Sequence, residues 1–238
     1  AVGMHSMRNV TSTQYSTALG AKAMGSGVTT GDYNIAVGYQ AGKTLTSGGD
    51  NTIIGALAGD ALTTGVRNVA IGHNALSTED AGGYNVAIGY NALATQDAGN
   101  AYNVAIGASC GTGITSGVEN TIMGGLAGNA LTIGNHNVAI GFEALSASVD
   151  GDKNVAIGRR ALKLYEDGDG NGHNTAVGSN SMENTTTGEY NTAVGSQTAS
   201  GGVMTGDYNV LMGYNAGHLI SSGTYNILIG GLAGDAIT

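Results

Sequence analysis

The chain has 238 residues, of which 43 are glycine, none is proline or tryptophan and one is phenylalanine, so a core of large aromatic side chains cannot be built. Charged residues make up 11% and the formal net charge is −9; eight Lys and Arg in all argue against nucleic acid as a partner, because phosphate backbones need clustered cations. The single Cys110 excludes an intrachain disulfide framework, and no apolar run approaches the ~20 residues of a membrane span.

One short phrase, "YNVAIG" in its commonest spelling, recurs from end to end. Its closing glycine falls at Gly3, Gly20, Gly38, Gly55, Gly72, Gly89, Gly107, Gly124, Gly141, Gly158, Gly178, Gly195, Gly213 and Gly230. Nine of the intervals are 17 residues, three are 18 and one is 20. That period is too short for a pair of helices and predicts an all-β fold, a β-solenoid or β-roll of about fourteen 17-residue coils, with residues 1–238 forming a single repeat array. The uncapped ends predict a window on a longer fibre or a unit that stacks end to end.

Within each phrase the residue before the glycine is apolar and the residue two earlier is Val, Ile or Thr, which places both on one face of a short strand. Taking the larger side chains as the interior assigns Val86 and Ile88 to the core and Ala87 to the outer face. The column of Ala87 is apolar in every repeat, from Ala36 and Ile53 to Leu211 and Leu228. An outward apolar stripe predicts burial against identical chains, a homotrimeric rod. A second short strand is expected after the glycine, with a small inner residue such as Ala41, Ala58, Ala75 or Ala92; Cys110 stands in that column as a buried small hydrophobe.

Asparagine precedes the phrase at Asn34, Asn51, Asn68, Asn85, Asn103, Asn120, Asn137, Asn154, Asn174, Asn191, Asn209 and Asn226. Coils stacked about 4.8 Å apart let these amides bond along a structural ladder and satisfy turn backbone. The second half of each coil is rich in Thr, Ser, Gly and Asp and reads as exposed loop. Three longer segments are siblings, "NTIIGALAGDALTTG" from 51, "NTIMGGLAGNALTIG" from 120 and "NILIGGLAGDAIT" from 226, and point to duplication of larger blocks.

The Asn, alternating apolar residues and closing Gly of "NVAIG" resemble the head repeats of trimeric autotransporter adhesins of the YadA-like type, and "YNIAVGYQAG" is similar to repeat arrays of phage and prophage tail fibres. The adhesin repeats are shorter than those of this chain, which brings it nearer the fibre arrays. The resemblance spans essentially the whole chain. It implies a homotrimeric rod outside the cell, on the cell surface or on a virion tail, serving reach and attachment, and it brings no catalytic motif.

Two features of the columns invite a ligand. The 20-residue interval contains "DGDGNG", where Asp167, Asp169 and Asn171 follow the opening of a calcium loop and Gly172 turns the chain. The bidentate Glu of such a loop is replaced by Gly178, so the missing oxygens would come from Asp150 and Asp152 in the preceding coil; a solvated acidic insertion is the other reading. Tyr84, Tyr102, Tyr190 and Tyr208 share the column before Asn, where aromatic faces either stack on sugar rings or pack against one another. His136 and His173 lie two coils apart, too far for one zinc ion. The same acidic patch is the one place where a polysaccharide depolymerase could find paired carboxylates.

The function expected is therefore non-enzymatic, a structural segment that spaces and supports attachment, with self-association as its main contact. The alternatives are a glycan-binding adhesin using the Tyr column or loops, and a depolymerase.

Overall fold

A computed structural model describes residues 1–166 and 171–237. The chain is an all-β solenoid of thirteen parallel strands of three residues each, one per coil, with no helix among the described residues. It divides into two compact units, residues 1–119 and 120–238. Unit 1 carries β1 (Thr17–Leu19), β2 (Ile35–Val37), β3 (Thr52–Ile54), β4 (Val69–Ile71), β5 (Val86–Ile88) and β6 (Val104–Ile106). Unit 2 carries β7 (Thr121–Met123), β8 (Val138–Ile140), β9 (Val155–Ile157), β10 (Thr175–Val177), β11 (Thr192–Val194), β12 (Val210–Met212) and β13 (Ile227–Ile229).

Inside each unit every strand pairs in parallel with the next, and like stands beside like: Ala70 opposite Ala87, Ala87 opposite Ala105, and Ala139 opposite Ala156. The glycine ending each phrase closes the strand with a φ between 122° and 142°. The coil at Gly3 contributes only an isolated bridge between Val2 and Leu19, so the fourteen glycines correspond to thirteen strands.

The strands face the opposite way from the assignment made on side-chain size. Ala87 is fully buried, as are Ala36, Ala105, Ala139 and Ala193, while Val86 and Ile88 are half-buried and Ile35, Ile54, Met123 and Met212 are exposed. The inward set is Asn85 with Ala87; Val86 and Ile88 point outward. The reason is the narrow cross-section of the coil. In the alanine coils the interior is filled from its other walls, leaving room for little more than a methyl at the strand centre.

No second strand follows the glycine. The chain turns instead through left-handed residues such as Asn91 (φ 54°) and Leu93 (φ 48°), and Ala92, between them, is buried at that corner. Cys110 is buried at the equivalent place.

The large core residue alternates between two positions. In the six coils with a buried Leu or Met fourth after the glycine, at Met24, Leu76, Leu93, Leu145, Leu162 and Met182, the seventh is not an aliphatic residue. Where the fourth is Gly, as at Gly42, Gly59, Gly111, Gly128 and Gly217, the seventh is a buried Leu45, Leu62, Ile114, Leu131 or Ile220. Three of these glycine coils also carry Ile53, Ile122 or Leu211 at the strand centre. The Ile122 Cδ1 lies 3.0 Å from where a Cβ on Gly128 would stand, so the space is already taken. Each sibling segment noted above is a coil of this kind. Where the strand centre is alanine and the fourth residue is leucine, that leucine is the main core side chain, and Leu93→Ala is expected to cost about 2–4 kcal/mol in urea unfolding, because neighbouring coils locked by backbone bonds cannot collapse on the cavity.

Candidate functional site

The outward face of the strands carries an extended row of exposed and half-buried apolar side chains. In unit 1 it is built from Val37, Ile54, Ile71, Ile88 and Ile106 with the Ile, Thr or Val two residues earlier; in unit 2, Met123, Ile157, Met212 and Ile229 hold the same column. Nothing within the same unit covers these columns, and Ile227 and Ile229 are 72% and 66% exposed. Aromatic side chains flank the face after the glycine, at Tyr39, Tyr90, Phe142 and Tyr214, all exposed.

The other flank is the column before Asn. There the rings stack on each other: Tyr15 on Tyr33 at 5.1 Å, Tyr84 on Tyr102 at 4.8 Å, and His173, Tyr190, Tyr208 and Tyr225 in one run at 4.9–5.1 Å. The strand spacing imposes this distance, and the planes are within 16° of parallel. The ring faces between neighbours in a ladder are therefore spent on one another, and the ladders present mainly edges and hydroxyls. Partial burial, then the adjacent Tyr190 and Tyr225 and the carboxylates of Asp207 and Glu189, push the Tyr208 hydroxyl above the ordinary tyrosine range. Arg67 extends the unit 1 ladder, 5.4 Å above the Tyr84 ring and 3.7 Å from Asp50.

Eleven of the twelve ladder asparagines are buried and Asn226 is partly so. Each Oδ1 shown bonded takes the backbone N–H of the next asparagine, as Asn51 N–H donates to Asn34 at 3.0 Å and Asn154 N–H to Asn137 at 2.9 Å. The Nδ2 donates to a glycine carbonyl further round the coil, Asn68 to Gly82 and Asn174 to Gly188, both at 2.8 Å. The column is committed to the fold.

Of the acidic residues considered for calcium, Asp167 and Asp169 lie outside the described residues. Asp152 Oδ1 accepts from Asn135 N–H at 2.6 Å and from its amide at 3.3 Å, and the main-chain oxygen of Asn171 accepts from the buried Tyr165 hydroxyl at 2.8 Å. Asp150 Oδ1 is buried with no hydrogen-bond partner. Among the described residues no group of three His, Cys, Asp or Glu side chains is placed to hold a metal ion.

Three features were not read from the sequence. Glu143 accepts from Arg160 at 2.8 Å and Lys163 at 2.9 Å, while Arg160 also reaches Glu183 at 3.5 Å, tying three coils together; Lys163 and then Arg160 hold the Glu143 carboxyl below its usual range. Ser200 Oγ and His218 Nδ1 approach to 3.3 Å, but the hydroxyl donates to Gln197 carbonyl at 2.9 Å, so its proton is held by the backbone. Glu79 is fully buried. The signal for each was column membership: Ser200 and His218 both stand fifth after their glycine, and Glu79 stands seventh, where Leu62 and Leu131 are core.

No family model and no curated protein matches the chain. No helix among the described residues is long and apolar enough to cross a membrane.

Proposed function

We propose that the chain is a structural segment of an extracellular or virion fibre, a homotrimer whose repeated coils supply reach and support attachment to a surface. The observation that carries this reading is the outward sheet face: two apolar columns run along each unit, flanked by stacked aromatic rings, with no covering from the same unit. Contiguous apolar surface of this kind is costly in water and is ordinarily buried against a partner. A second copy fits best, because a repeating face with a fixed axial spacing is matched everywhere by the same spacing in an identical chain.

The reading assigns no chemistry to any side chain. The most regular polar columns, asparagine and glycine, are used up in stacking the coils, and Asp152 of the acidic patch accepts from the Asn135 N–H of the preceding coil. A glycan partner would meet ring edges and loop hydroxyls.

Sedimentation equilibrium of the purified chain tests the proposal. The expected species is a trimer, and Ile88→Glu or Met212→Glu, each on the outward face, is expected to give a monomer with an unchanged far-ultraviolet spectrum. A soluble wild-type monomer at micromolar concentration would overturn it.

A further inference from the structure

Glu79 interrupts the core of unit 1. It is completely buried in a column whose members in the flanking coils are Leu62 and Gln96. Its Oε1 accepts a hydrogen bond from Gly82 N–H at 2.6 Å, and its Oε2 is buried without a partner. Asn85 Nδ2, six residues on, is also buried and unpartnered, whereas Asn68 and Asn103 each reach a glycine carbonyl. In the next coil the corresponding side chains, Gln96 and Asn103, bond to each other at 2.7 Å, so these two columns face one another in the interior.

The charges around this group are one-sided. Asp60 lies on the preceding coil, Asp80 adjoins Glu79 in its own and Asp97 lies on the following one. The basic side chains of the same coils, Arg67 and His73, are on the outward face, against Tyr84 and Tyr90. No cation offsets the cost of a carboxylate at this point, and a second polar group beside it is left unsatisfied.

We infer that Glu79 is a buried proton-binding site that makes unit 1 more stable in mildly acid than in mildly alkaline solution. Burial raises its carboxyl most, the Gly82 N–H partly offsets that, Asp97 raises it further, and the Ala98 and Ala81 N–H groups lower it a little, to leave it at about 7 from an ordinary 4.5. Below 4.5 the group is protonated whether the chain is folded or not, and it costs nothing. As pH rises from there the unfolded chain ionises first, so the folded state loses stability until the folded group also ionises near 7; above that the deficit is constant. The effect on the folding equilibrium constant is on the order of 100-fold after allowance for screening.

Thermal unfolding of the full chain and of Glu79→Gln across pH 5–8.5 tests this. The wild-type midpoint is expected to fall with rising pH relative to that of the variant, the two separating by roughly 5 °C or more. Parallel profiles would overturn the inference. If Glu79→Gln does not fold, the carboxyl carbon of Glu79 followed by NMR in the wild type decides: a midpoint near 7 supports the site and one in the ordinary glutamate range overturns it.

Discussion

Gly89→Ala is expected to prevent unit 1 from folding, seen as loss of the cooperative urea transition or a destabilisation of about 4 kcal/mol or more. Gly89 has a φ of 140°, a conformation that L side chains rarely adopt. A Cβ there would stand 2.3 Å from Gly107 O and 2.6 Å from its carbonyl carbon, both backbone atoms of the next coil. That backbone cannot yield without breaking the hydrogen bond from Gly107 N–H to Ile88 carbonyl at 2.8 Å. Gly99→Ala is the control. It also replaces a positive-φ glycine, at 69°, but with nothing within 4 Å of the new methyl, so only the backbone term of about 1 kcal/mol remains. Equal losses in the two variants would show that steric contact between coils is not what holds the glycine column.

Asn137→Leu is expected to destabilise unit 2 by about 3–5 kcal/mol, measured by urea unfolding, although leucine is similar in size and more apolar. The side chain bridges three coils. Its Oδ1 accepts from Asn154 N–H at 2.9 Å, and its Nδ2 donates to Gly151 carbonyl at 2.7 Å and to Asn120 Oδ1 at 3.1 Å. Leucine would bury the Asn154 N–H and the Gly151 carbonyl without partners, and the loss of those bonds outweighs the gain from an apolar side chain. Asn85 makes an internal comparison. Its Oδ1 still accepts from Asn103 N–H at 3.1 Å but its Nδ2 has no acceptor, so Asn85→Leu should cost less than Asn137→Leu. Equal losses would mean that the ladder stabilises through the Oδ1 bond alone.

The fold class and its columns were open to reading because the repeat is itself an alignment: fourteen copies show which positions tolerate no variation. Asparagine and glycine stand out because each meets a demand other residues cannot, a side chain that donates and accepts toward two coils, and a Cβ-free corner with positive φ. The site was less open. Stacking of Tyr84 on Tyr102 follows from their shared column, but that stacking uses up the ring faces is a matter of plane angle, 16°, which composition does not contain. Glu79 stands in a column that mixes aliphatic and polar residues, Leu62 and Leu131 with Gln96 and Ser148, so composition does not mark it. Its burial became evident only once the fourth and seventh positions were seen to share one core space between Leu76 and Leu62.

The sequence by itself determined the period, the parallel stacking, the glycine corner and the asparagine ladder, since each is a property of one position repeated along the chain. Only the tertiary structure decided which face of the strand is inside. Alternation separates Val86 and Ile88 from Ala87 but treats the two faces alike, and the choice depends on how much volume the rest of the coil leaves. With Leu93 filling the interior from the turn, the strand centre holds a methyl group, and the larger side chains are turned outward to form the exposed apolar face.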